Sequence, residues 1–181
     1  QKLLIGNPIF LINHIEWREH LINDAEALNE VQALVPELDL YVALEDPMSW
    51  LLLAYIKEEL ANYYNIQLKV YPLSYQGRDW FDWSLASRVS KRTEVEFTPF
   101  CRPTQVATLA MARLFYSVPE AQQVDAMHQI LQGVWTRGKD LSFPTHFQRM
   151  QARLDIAQMT EQDVEALLKQ NDVLCQQKHQ P

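Results

Sequence analysis

Apolar and polar residues alternate at the front of the chain, and the alternation predicts a hairpin. IFLIN is a short β-rich run, and in HIEWRE the apolar Ile15 and Trp17 alternate with polar neighbours, with Asn13-His14 as the tight turn. Asn23-Asp24 then offers an N-cap to AEALNEVQALV, where Ala27, Leu28, Val31, Leu34 and Val35 recur at helical spacing until Pro36 ends the pattern. LDLYVAL, residues 38 to 44, is nearly continuous in apolar side chains, the pattern of a strand buried on both faces and central in a sheet. A helix from about Met48 to Tyr64 and a second strand, IQLKVYP, complete a βαβ unit with a parallel strand pair.

Beyond Gly77 the pattern turns helical. Pro99 and Pro103 bracket a loop before TQVATLAMARLFYSV, Pro119 opens a segment that runs to Gly138, and SFPTHFQRMQARL predicts a further helix. TEQDVEALLKQNDVLC predicts the last, with Thr160 as N-cap and Asp163 three residues on. This divides the chain into a hairpin and helix over 1–37, a βαβ unit over 38–76, a helical domain over 77–175 and a tail over 176–181. The fold class is α/β.

Charge and composition narrow the function. With 16 basic against 23 acidic residues and a net charge of −7, the 181-residue chain advertises no phosphate-tracking surface, and nucleic acid is not an expected partner. No apolar run approaches a membrane span, and QKLLIGNPIF lacks the regions of a signal peptide, so the expectation is a soluble, cytoplasmic protein with no membrane partner. Cys101 and Cys175 stand alone, which gives neither a disulfide framework nor a metal cluster and suits a reducing compartment. The five histidines lack metal-ligand spacing, and the four glycines form no nucleotide-phosphate loop.

The stretch that asks for chemistry is EDPMSW, residues 45 to 50, where the apolar strand turns into a helix. LDLYVALEDPMSWLLLAYI resembles the first strand, active-site turn and first helix of the DsbA-like thioredoxin-fold family that holds 2-hydroxychromene-2-carboxylate isomerases and kappa-class glutathione transferases. That family's turn reads Ser-Pro-aromatic-Ser-aromatic. Pro47, Ser49 and Trp50 match, whereas Asp46 takes the place of the first serine and Met48 that of the aromatic. GVWTRGKDL is similar to a segment late in the family's helical insertion.

The family's closing half is a Gly-Val-Pro loop with a cis proline, a hairpin, and a helix opened by an Asp-Arg pair. Here Gly6-Asn7-Pro8-Ile9-Phe10, Glu16-Trp17 and Asn23-Asp24 resemble that half, but they stand at the front of the chain. Residues 1 to 37 are then either the tail of a preceding domain in a tandem protein or part of a circularly permuted fold closed on itself. The favoured expectation is a single completed sheet, with Leu3 near Cys175 and a cis Asn7-Pro8 peptide facing Met48.

The resemblance implies a cleft between EDPMSW and Gly6-Asn7-Pro8, with Asp46 and Ser49 as candidate catalytic residues and Asn7, Pro8, Asn23, Asp24, Met48 and Trp50 as candidate binding residues. A small thiol such as glutathione, a peptide or an aromatic acid would occupy it. A homodimer is left open. Cys-x-x-Cys would fall at Asp46 and Ser49, so dithiol exchange of the usual kind is excluded. An ionised Asp46 cannot donate a hydrogen bond to a glutathione sulfur and would repel its thiolate. The family's arginine is Ala25, which removes a carboxylate clamp.

Plainer readings stand beside each of these. Asp46 followed by Pro47 is a favoured helix start, and Asn23-Asp24 an ordinary N-cap. Ser49 can cap or pack, Cys101 beside Arg102 is either a reactive thiol or a small buried apolar group, and Trp80, Phe81 and Trp83 either line a pocket beside Asp46 or anchor the helical part. Two functions follow: a glutathione-dependent isomerase or transferase with weakened or diverted activity, or a non-catalytic thioredoxin-fold module that binds a protein or peptide.

Overall fold

The central strand forms where the apolar run predicts it. In the computed structural model, which describes residues 9–12, 15–16, 37–60, 67–77, 83–98, 100 and 102–178, strand β3 spans Glu37–Ala43. It pairs in parallel with β4 (Gln67–Leu73), Leu38 opposite Leu68 and Ala43 opposite Leu73. The expected front hairpin is present as β1 (Ile9–Ile12) and β2 (Ile15–Glu16), with Ile12 opposite Ile15. Its first strand lies antiparallel beside β3, Ile9 opposite Tyr41 and Leu11 opposite Asp39, so the sheet order is β2-β1-β3-β4.

Both faces of β3 are covered, as a continuous apolar run requires. Leu38, Leu40 and Val42 enter the main core together with Val70. Tyr41 turns the other way and packs with Leu73 and Cys175 in a second cluster. Asp39 is the polar intrusion in the run, and it pairs with Lys178 from the far end of the chain. Lys178 also lies 5.6 Å from the centre of the Tyr41 ring, and that ring stacks on Tyr71 at 5.1 Å. Burial raises the pKa of Tyr41 and Tyr71. For Lys178 burial pulls downward, but the hydrogen bond it donates to Asp39 and the neighbouring charges prevail and its pKa is raised.

Six α-helices lie among the described residues: α1 (Pro47–Tyr55), α2 (Trp83–Thr93), α3 (Gln105–Tyr116), α4 (Gln123–Trp135), α5 (Pro144–Arg153) and α6 (Val164–Lys178). No helix among the described residues is long and apolar enough to cross a membrane. α1 is buried from Pro47 through Ala54, as suits a helix apolar all round. Within the helix that the sequence predicts to Tyr64, α geometry stops at Tyr55 and a π turn covers Ile56–Leu60, and residues 61–64 lie outside the described residues. Such turns interrupt an α-helix where other contacts outweigh regular geometry. Here the consecutive Lys57 and Glu58 both reach α4, Lys57 to Asp125 at 3.2 Å and Glu58 to His128 at 3.1 Å.

The last helix also begins later than its sequence suggests. Asp163, not Thr160, caps α6, its carboxylate accepting from the Ala166 amide at 3.1 Å, while the Thr160 hydroxyl accepts from Gln162 within its own turn. An Asp three residues nearer the apolar run is the better-placed cap. Trp83 anchors the helical part as the packing reading holds, 6.2 Å from Phe97 and 6.1 Å from Trp135. Trp80 and Phe81 lie outside the described residues. Gly138, just past α4, adopts φ +62° beneath Phe100, where a β-carbon would come within 2.6 Å of the ring.

Candidate functional site

Strand β3 ends at Ala43, and the chain reverses before α1 through a turn closed by the Asp46 amide donating to the Ala43 carbonyl at 3.0 Å. Asp46 is the N-cap of α1: its backbone is extended and its carboxylate accepts from the Met48 amide at 2.9 Å. Pro47 follows in the first helical turn, where its missing N–H costs no hydrogen bond. Strand, turn and helix therefore present the positive end of α1 at the carboxyl end of the central strand. The Asp46 carboxylate answers it.

The side chains of this turn are withdrawn from solvent. Glu45 and Ser49 are fully buried, and Asp46, Met48 and Trp50 are 4 %, 8 % and 2 % exposed. Trp50 belongs to the core, with its indole N–H donating to the Glu96 carbonyl at 2.9 Å and its ring 5.1 Å from that of His128. The Ser49 hydroxyl has no hydrogen-bond partner among the described residues. Asp46, Met48, Ser49 and Trp50 thus share one turn, while Asn7, Pro8, Asn23 and Asp24 lie outside the described residues, as do Leu3 and Cys101. Cys175 is a buried thiol against Tyr41 and Leu73, on the sheet face opposite the leucine layer that meets α1.

Glu45 is a member of the site that pattern reading passes over. Its carboxylate accepts from the Gln76 amide at 2.8 Å, so it ties the end of β3 to the segment that leaves β4. The signal available in the sequence was two consecutive acids directly after an apolar strand. Chemically, the turn offers two buried carboxyl groups and a hydroxyl at a helix N-terminus, without a thiol. Among the described residues no cluster of His, Cys, Asp and Glu is arranged to hold a metal ion.

His128 adds a pH dependence to the same neighbourhood. Burial lowers its pKa from the ordinary 6.5, with help from the Lys57 charge and against Glu58. As pH falls through 6.5 the unfolded chain takes up a proton that the native state declines. Stability from this group is therefore complete above 6.5 and declines below it. The melting temperature should fall from about pH 7 to about pH 5. The fall should be shallower in His128→Gln; an identical slope in both proteins would remove His128 from the explanation.

No protein-family model matches the chain, and no significant match to it is found among curated proteins or among solved structures.

Proposed function

We propose that the chain is a thioredoxin-like protein of the DsbA-like branch that includes chromene-carboxylate isomerases and kappa-class glutathione transferases, and that it binds a peptide or small thiol without thiol chemistry of its own. The observation that carries this reading is the sheet order β2-β1-β3-β4, with β1 antiparallel and β4 parallel to the central β3 and with α1 springing from the end of β3. A thioredoxin fold has that order once its closing hairpin is moved to the front. Support for a non-catalytic role comes from Asp46, whose carboxylate already engages the first-turn amide that would otherwise favour a thiolate. Met48 and Trp50 support it too, because both are packed inward. The buried Cys175 thiol fits a cytoplasmic setting.

A second reading rests on Ser49. A buried hydroxyl with no partner among the described residues, three residues into α1, is the kind of group that a glutathione-dependent isomerase or transferase would keep for a ligand. Titration with glutathione and with S-methylglutathione separates the two. Equal affinities support binding without thiolate activation, a preference for free glutathione of about tenfold or more favours the enzyme reading, and no binding of either removes glutathione as the ligand.

The cap itself is testable through stability. Asp46→Ala should cost about 0.5–2 kcal/mol, whereas Asp46→Ser should retain most of the cap. Equal losses in urea unfolding would mean that the carboxylate acts through its charge rather than through the Met48 amide.

A further inference from the structure

A cavity of about 240 Å³ opens between the end of β4 and the first turns of α3 and α6, away from the Asp46 turn. Its walls come from segments remote in sequence: Tyr75 after β4, Thr108 and Leu109 of α3, and Glu165, Leu168 and Lys169 of α6. The volume is that of about eight liquid waters, room for a small organic molecule. The wall at Tyr75 is held on both sides, because the Ser74 amide donates to Asp172 at 3.1 Å and the Gln76 amide to Glu45 at 2.8 Å. Such a cavity is pre-formed.

The lining is divided by chemistry. Leu168, 4 % exposed, and the half-buried Leu109 make an apolar floor. Tyr75 adds an aromatic wall, with the Arg102 guanidinium 5.4 Å from its ring centre. Glu165 and Lys169 are exposed and lie one helical turn apart on the same face of α6, a spacing of about 5–6 Å between β-carbons. That spacing commonly closes into an ion pair, yet among the described residues neither side chain forms one. A ligand with a single charge would satisfy one of the two and repel the other.

We propose that this cavity binds a small zwitterion, an α-amino acid with an apolar side chain. Its ammonium group meets Glu165, its carboxylate meets Lys169, and its side chain lies on Leu109, Leu168 and Tyr75. The site is independent of the function proposed for the Asp46 turn.

The test uses the full chain and three probes in calorimetry: L-phenylalanine, 3-phenylpropionate, which lacks the ammonium group, and 2-phenylethylamine, which lacks the carboxylate. L-Phenylalanine should bind at least about tenfold more tightly than either analogue, the worth of one hydrogen bond to a charged group. Glu165→Gln should weaken L-phenylalanine and 2-phenylethylamine and spare 3-phenylpropionate, and Lys169→Met should weaken L-phenylalanine and 3-phenylpropionate and spare 2-phenylethylamine. Both positions are exposed, so melting temperatures should hold. Absence of binding at millimolar L-phenylalanine, equal binding of all three probes, or affinities indifferent to both substitutions would overturn the proposal.

Discussion

Trp50→Ala is expected to lower stability by about 3–5 kcal/mol, the cost of emptying a large aromatic site in a core that relaxes only in part. The indole is 2 % exposed and wedged between α1 and α4, so its removal strips contacts from both helices at once. Trp50→Phe should cost about 1–2 kcal/mol, from the lost hydrogen bond and some lost volume. The Glu96 carbonyl is not orphaned in that variant, because the Thr136 hydroxyl also donates to it, at 3.1 Å. Urea unfolding with an unchanged slope is the measurement. An alanine variant within about 1 kcal/mol of the parent would show that the indole is not a core group, and would return it to the cleft that the resemblance assigns.

Asn171→Leu should be nearly as damaging, at about 2–3 kcal/mol, through hydrogen bonding rather than volume. Asn171 is 7 % exposed, and its amide donates to the Pro72 carbonyl at 2.8 Å and to the Tyr116 hydroxyl at 2.9 Å. One side chain of α6 thereby fastens β4 to α3. Leucine of similar size leaves the buried Pro72 carbonyl and the half-buried Tyr116 hydroxyl without that donor. Burial raises the Tyr116 pKa while the bond from Asn171 pulls it back, so Tyr116 should titrate higher still in the variant, as read by phenolate absorbance. Adding Tyr116→Phe should recover part of the loss, because it removes one of the two stranded groups. No recovery would locate the whole cost at Pro72.

What a sequence shows of such a fold depends on how local the cause is. The strand at LDLYVAL and the helix start at Asp46-Pro47 are written in adjacent residues, and both form where those residues place them. The partner of Asp39 is not local: Lys178 lies 139 positions away, and no periodicity links the two. The π turn after Tyr55 answers to Asp125 and His128 on another helix, so the apolar pattern of α1 gives no warning of it. The role of Glu45 is hidden for the same reason, since its partner is the backbone of Gln76. Trp50, which the resemblance implies as a binding residue, is packed in the core, where its indole donates to the Glu96 carbonyl. The cavity beside Tyr75 is assembled from three distant segments and has no linear signature.

The boundary of the sheet at β4 has a consequence for how the protein behaves among its own copies. An edge strand exposes unpaired amides and carbonyls that can template pairing with another chain, the first step of aggregation. Among the described strands β4 ends the sheet order, but its last stretch offers little to copy. Pro72 has no amide hydrogen, its carbonyl is taken by Asn171, and the Ser74 amide is taken by Asp172. Two consecutive residues of α6 thus blunt the edge from the side. Loss of α6 docking, even with the sheet intact, would leave a strand end able to recruit a second molecule, and turbidity on mild heating should report it before circular dichroism does.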